Sequence, residues 1–281
     1  MFKRKPDLVY VREIVLAFIL SILGVKVVFE DHELPRSNLF IYKLFLKKIK
    51  KKVIVAYNLK NVYEQLRVKE NSYIIAPNGV DIEEFAGTSV SIREELGVKE
   101  GTAIVLYVGH FYPWKGVYTL IDSIPKISKN ALVVLIGGTV ENMGDINEYI
   151  AKNSIKGAVI KGFTSHKEAV RFIKSADILV LPNTAKEKRS AMYTTPIKLF
   201  EYMASGAPVV ASDLPSFSPY LRDEENSLLF EPDNSENLAE KINKLLSDKS
   251  KGEEIARKAY EEVHEFTWKK RTEKILNFIK L

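Results

Sequence analysis

Two charged residues, one at the start of an expected helix and one a turn inside another, stand where they could do chemistry. Lys115 falls at the end of the loop in LYVGHFYPWKG (residues 106–116), after an apolar strand and at the start of the next helix. A lysine beside a helix start and its free amides makes an anion site, and Gly109 in the same segment allows close approach of the backbone. Glu201 lies within TTPIKLFEYMASGAPVVAS (194–212), on a helix otherwise built of Leu199, Phe200, Met203 and Ala204. Thr195 offers a cap and Pro196 suits the first helical position, so the amides of Ile197 and Lys198 are free to meet a second set of phosphate oxygens. Glu201, one turn further on, would sit beyond that phosphate, where a carboxylate accepts both hydroxyls of a ribose. Taken singly, Lys115 also reads as a surface loop residue and Glu201 as a solvated helical glutamate. His32, in VVFEDHELP (27–35), follows a strand and is by itself an ordinary loop histidine.

These residues need a scaffold, and the pattern supplies one. Short apolar strands are expected at Leu8–Tyr10, Val25–Phe29, Val53–Tyr57 and Tyr73–Ala76, separated by helices at Glu13–Leu23, Asn38–Lys51 and Leu59–Arg67. The segment PNGVDIEEF (77–85) is a turn-rich joint, after which the alternation restarts. Strands follow at Ala103–Val108, Leu132–Ile136, Ala158–Lys161, Asp177–Leu181, Ala207–Ala211 and Ser227–Phe230, with helices at Val117–Ile127, Asp145–Lys152 and His166–Ser175. Three helical stretches, Ser235–Leu246, Gly252–Glu262 and Trp268–Ile279, close the chain. Apolar strands alternating with amphipathic helices indicate an α/β protein of two doubly wound units, each a parallel sheet covered on both faces. Ligands of such units bind beyond the carboxyl ends of the strands, which is where Lys115 and the 194–201 segment fall.

Composition narrows the chemistry. The 281 residues are 46% hydrophobic, enough for a sizeable core, and contain no cysteine. A disulfide framework, cysteine-ligated zinc and a cysteine nucleophile are therefore excluded, and the four histidines are too scattered to suggest a metal site. The formal net charge of +6 suits phosphorylated small molecules or anionic lipid; no motif supports nucleic acid. The N-terminal apolar run is broken by Arg12 and Glu13 and is too short to span a bilayer, so it reads as strand and helix, not as a signal peptide. Residues 38–52 carry Leu39, Phe40, Tyr42, Leu44, Phe45, Leu46 and Ile49 among six lysines. That stretch is either the solvated basic end of a core helix or an amphipathic helix on anionic lipid.

Together, PNGVDIEEF, YVGHFYPWKG, VLIGG, ADILVLPN and PIKLFEYMASGAPVVAS resemble, in order and spacing, glycosyltransferase family 4, the retaining nucleotide-sugar transferases of GT-B fold. The resemblance runs from about Asp7 to the end of the chain and is strongest from Pro77 to Pro215. It implies that Glu201 is the second glutamate of the family's Glu-x7-Glu motif and holds the donor ribose. It implies that Lys115 neutralises the donor diphosphate, that Gly109 lets the chain pass close to the donor, and that Gly162 and Phe163 border the nucleobase. His32 matches a family histidine facing the sugar across the cleft. Two positions depart from the pattern: Tyr193 stands where the first glutamate would be, and His110 where a basic residue often follows the glycine. Either the donor sugar is held differently, or Lys186, Lys188 or Arg189 takes over the lost contact, or activity is reduced.

The resemblance further implies a partial N-terminal, acceptor-side domain over residues 1–77, a nucleotide-sugar-binding domain over 78–265, and a helix, 266–281, crossing back to the first domain. The N-terminal domain is expected to be incomplete, lacking the family's glycine-rich loop, and to be completed by a partner chain, by self-association or by a longer reading frame. The implied function is transfer of a sugar from a nucleoside-diphosphate sugar to a glycan or lipid-linked acceptor, with no metal required. The implied place is the cytoplasm, with peripheral attachment to the inner face of the membrane. Two other functions stay open: a donor-binding subunit or inactive transferase that needs a partner, and a nucleotide-sugar epimerase of the same architecture.

Overall fold

The computed structural model describes residues 6–32, 34, 38–87, 92–128 and 130–280. Two parallel sheets organise it. The first has the order β1 (Val9–Val11), β2 (Val27–Asp31), β3 (Lys51–Ile54), β4 (Tyr73–Ile75), connected by helices α1 (Ile14–Ile22), α2 (Leu39–Lys48) and α3 (Leu59–Gln65). The second sheet comprises β5 (Ala103–Val108), β6 (Ala131–Gly138), β7 (Ala158–Gly162), β8 (Ile178–Leu181), β9 (Val209–Ser212) and β10 (Leu228–Phe230). Around it lie α4 (Val117–Ser123), α5 (Val140–Lys152), α6 (His166–Lys174), α7 (Lys188–Tyr193), α8 (Ile197–Ala204), α9 (Ser235–Ser247) and α10 (Lys249–Val263), and α11 (Trp268–Lys280) ends the chain.

The second sheet runs β10-β9-β8-β5-β6-β7, so the winding reverses between β5 and β8. A crevice opens beyond the carboxyl ends of two strands where consecutive connections leave in opposite directions, and ligands of doubly wound sheets bind there. β5 reads AIVLYV because both of its faces are covered. Leu106 and Val108 pack in one core layer with Phe172, Leu199, Phe200 and Val263, whereas Val105 and Tyr107 pack in the other with Leu120, Ile146, Leu238 and Ile242. Strand alternation sends successive side chains to opposite layers, and each layer fixes one set of helices.

At the joint the backbone doubles against itself. Val80 N–H donates to Phe266 O at 2.9 Å, and a Cβ on Gly79 would lie 2.7 Å from the Trp268 nitrogen. Only glycine permits that approach. Beyond the crossing, α11 packs Ile275 against Val28, Val53 and Ala76 of the first unit. Asn58 donates to the carbonyls of Met192 and Pro215, at 3.0 and 2.9 Å, and Asn78 to that of Thr195 at 2.8 Å, so the rim of the first unit is hydrogen-bonded to the α7–α8 region of the second.

Several local expectations are corrected. The helix expected to reach Lys51 stops at Lys48, and Lys51 and Lys52 begin β3. Lys52 is buried and turns back to donate to Leu46 O and Ile49 O, at 3.0 and 2.7 Å, satisfying carbonyls at the end of α2. The basic run is therefore partly structural. β2 extends to Asp31, which places Glu30 and Asp31 inside the fold. The short helix α7 went unforeseen. Residues 1–5 at the start of the expected first domain, and Leu281 at the end of the crossing helix, lie outside the described residues.

Candidate active site

The loop after β5 descends from Gly109, whose N–H still completes the sheet by donating to Ile136 O at 2.9 Å, and ends at Lys115. Gly116 then turns the chain into α4 with φ +69°; a Cβ there would collide with Pro182 O, which begins the loop after β8. The two loops at the switch point are thereby locked together. Trp114 O strengthens the lock by accepting from Thr184 N–H at 3.3 Å and from Ser190 Oγ at 3.2 Å.

Lys115 is half-buried in this corner, and its Nζ lies 4.2 Å from the centre of the Trp114 ring. Trp114 stacks on Tyr112, and Tyr112 on His110, at centroid separations of 6.2 and 5.1 Å. Among the described residues no carboxylate pairs with Lys115. Burial, followed by the nearby charges of Lys198 and Arg189, holds its pKa down to about 8. Three cations thus converge where no anion balances Lys115, which is the electrostatic requirement for receiving a polyanionic group.

α8 provides the other half. Pro196 is the N-cap, not the first helical residue, and no side chain caps the helix; Thr195 does not serve as cap. The first-turn amides of Ile197 and Lys198 are left without a capping side chain. Glu201 is 3% exposed and forms an ion pair with Lys198 Nζ. The solvated-glutamate reading of Glu201 is thereby corrected: the carboxylate is buried.

Around this centre the remaining residues separate. His110 is exposed on the loop, held by its ring contact with Tyr112. Gly162 ends β7, and Phe163 is 79% exposed, with its N–H donating to Gly138 O at 3.0 Å. Tyr193, at the end of α7, packs against the core of the first unit that contains Tyr63 and Tyr73. His32 lies in the first unit, with Nε2 2.6 Å from Glu30 Oε1. Glu30 also accepts from Tyr10 and from Arg271 at 2.7 Å, with Arg12 at 3.3 Å. Burial would raise the Glu30 pKa, but hydrogen bonds from His32, Tyr10 and Arg271 bring it down to about 2.

Of the residues singled out from the sequence, Lys198 and Glu201 are in direct contact, and Lys115 lies near enough to Lys198 to feel its charge. Sequence reading missed Trp114 as the support of Lys115, although Trp114 is the adjacent residue. It missed Glu30, for which the signal was available: Glu30 and His32 are two apart, the spacing that puts strand residues on one face. Nothing in the sequence marked Arg271, which comes from the far end of the chain.

Two Rossmann-like units joined by a short crossing, with an anion-ready corner at the switch point of the second, define the GT-B class of fold. Comparison agrees: the structure titled "Crystal structure of Anabaena Alr3699/HepE in complex with UDP-glucose" superposes with a TM-score of 0.84 at 19% identity, covering 98% of this chain and 78% of that one. The model of the glycosyl transferases group 1 family matches residues 88–262, and the chain belongs to that family. An uncharacterized glycosyltransferase of Methanocaldococcus jannaschii is 28% identical over 200 residues, covering 68% of this chain and 48% of the relative. The lipopolysaccharide 1,2-N-acetylglucosaminetransferase of Salmonella typhimurium is 26% identical over 220 residues, covering 74% and 56%. The chain spans about half the length of the curated relatives it matches.

Proposed function

We propose that this chain is a retaining glycosyltransferase that moves a sugar from a nucleoside-diphosphate sugar to a glycan or lipid-linked acceptor. The observation that carries the proposal is that Lys115 lies within the field of Arg189 and of Lys198, and that Lys198 in turn contacts the buried carboxylate of Glu201. A nucleoside diphosphate answers both needs at once: phosphates for the cations and ribose hydroxyls for the carboxylate. The uridine diphosphate and UDP-glucose named with the Anabaena structures support a uridine nucleotide as the donor's carrier.

Catalysis in this proposal is electrostatic. As the bond between the anomeric carbon and the diphosphate oxygen breaks, negative charge grows on the diphosphate, and Lys115 with the first-turn amides of α8 stabilises it. The acceptor oxygen attacks the same face and gives its proton to the leaving phosphate oxygen, so the anomeric configuration is kept. These side chains and amides meet the charge without a metal. Gly162 and Phe163 border the base, Tyr193 lines the cleft wall, and His32 faces the sugar from the first unit.

The first unit supports attachment to an anionic membrane, where a lipid-linked acceptor would lie. Ile19, Ile22 and Leu23 of α1 and its end, and Phe40, Ile41 and Leu44 of α2, are exposed on two helices that pack against each other, with Lys47 and Lys48 exposed at the end of α2; Ile22 is 60% exposed and Phe40 66%. Apolar residues rimmed by lysines suit a lipid interface. No helix among the described residues is long and apolar enough to cross a membrane.

The test is incubation with UDP-glucose, UDP-N-acetylglucosamine and UDP-galactose, with and without lipid-linked and oligosaccharide acceptors, following UDP release and the product's anomeric signal by NMR. UDP release that requires an acceptor and yields a retained linkage is expected. Change of the sugar without an acceptor would mean epimerase chemistry, and binding without turnover a donor-binding subunit; either result contradicts the proposal.

A further inference from the structure

Glu201 and Lys198 each have two claims on them. The Glu201 carboxylate is buried, and a buried charge without a partner is costly, so in the unliganded protein it needs the Lys198 ammonium. Lys198 is also close enough to Lys115 for its charge to act there, and it stands in the first turn of α8 beside the uncapped amides. An anion arriving at Lys115 therefore meets a third cation whose charge is already committed to Glu201.

We infer that Lys198 is an exchanged counter-ion: it pairs with Glu201 in the free protein and moves to the diphosphate when ribose hydroxyls take over the carboxylate. The inference rests on the nucleotide-sugar reading above and goes beyond it, because it makes occupancy of the ribose and phosphate positions interdependent. A phosphate compound lacking ribose cannot recruit Lys198 without stranding Glu201. A nucleoside lacking phosphates cannot recruit Glu201 without stranding Lys198. Only a ligand carrying both, with the spacing of a nucleoside diphosphate, leaves every charge satisfied. Free pyrophosphate would then compete poorly with the donor, although the donor presents the same phosphate oxygens.

The sign of one substitution separates this from a fixed ion pair. Glu201→Gln releases Lys198, so pyrophosphate should bind about fivefold tighter than to the parent, whereas UDP should bind about tenfold weaker, the scale of one charge-assisted hydrogen bond. Through-space attraction alone would also favour pyrophosphate once a carboxylate is removed. The discriminating measurement is therefore calorimetric titration of pyrophosphate into Glu201→Gln, Lys198→Met and the double variant, with Lys198→Gln as a second neutral replacement. Exchange requires the pyrophosphate gain from Glu201→Gln to be clearly smaller when Lys198 is neutral, because only the through-space part remains. An equal gain in both backgrounds, no gain in either, or no pyrophosphate binding by any variant would overturn it. Titration of UDP into the parent is read separately: failure there contradicts the proposed function, while the pyrophosphate comparison still decides the exchange.

Discussion

Lys115 shows how a protein holds a cation in readiness. A carboxylate partner would stabilise the ammonium but cancel its field; the face of Trp114 stabilises it and leaves the charge available. Trp114→Leu should therefore weaken UDP binding about fivefold, with Trp114→Phe recovering most of the loss, as measured by calorimetry at pH 7. The depressed pKa adds a pH dependence whose sign is fixed. Lys115 in the free protein loses its proton near pH 8, and a bound diphosphate favours the protonated form. UDP affinity should consequently fall as pH rises through 8, by about tenfold between pH 7 and pH 9, and Lys115→Met should flatten that dependence. For stability the same shift acts in the opposite direction. A lysine whose folded pKa lies below its unfolded value makes the fold more stable as pH rises from about 8 towards the unfolded pKa, because there the unfolded chain binds more protons.

Among the elements, α11 ties the two units together, through the packing of Ile275 and through the polar contacts of Arg271. Arg271 donates to Pro77 O at 2.9 Å and to Glu30 at 2.7 Å, joining the crossing helix, the joint and the strand that leads to His32. Arg271→Met should destabilise the chain by about 2–3 kcal/mol in urea titration. That is less than for an isolated buried pair, because Tyr10, Arg12 and His32 remain on Glu30. Acid should expose the same network. The Glu30 pKa, lowered to about 2, gives stability that is present above the unfolded value and is lost as pH falls through about 2. Losing Arg271 would move that loss to higher pH. These elements also show where sequence reading succeeds. β5 and β6 were legible because unbroken apolar runs have few other uses, and α8 because Pro196 and Ser205-Gly206 bracket its apolar face. The end of α2 was not: Lys51 and Lys52 look like helix surface until Lys52 is seen buried against the α2 carbonyls. α7 carries too few apolar residues for a period to show. Likewise Lys115 could be singled out from its loop and Glu201 from its place on an otherwise apolar helix, but the Lys198–Glu201 pair and the Trp114 contact depend on rotamers that spacing does not encode.

Over the whole molecule, charge and apolar surface are divided between the units: the first presents the lysine-rimmed apolar face and the second the cationic corner around Lys115. Lys51 rests on the Phe278 ring, Lys52 is buried and Lys43 is half-buried, so the exposed lysines of residues 38–52 are Lys47, Lys48 and Lys50. Replacing these three with Gln should at least halve sedimentation with phosphatidylserine-containing vesicles, on the order of 1 kcal/mol per lysine being at stake, and salt should do the same to the parent. Phe40→Ser should weaken binding independently of salt. A parent chain that ignores such vesicles would leave α2 as a solvated helix. The proposed activity depends most on where the nucleotide binds, and the direct measurement is a crystal structure of the chain with UDP. The diphosphate is expected against Lys115 and the first turn of α8, with both ribose hydroxyls on Glu201 and Lys198 turned away from that carboxylate. UDP bound elsewhere, or bound here with its ribose remote from Glu201, would contradict it.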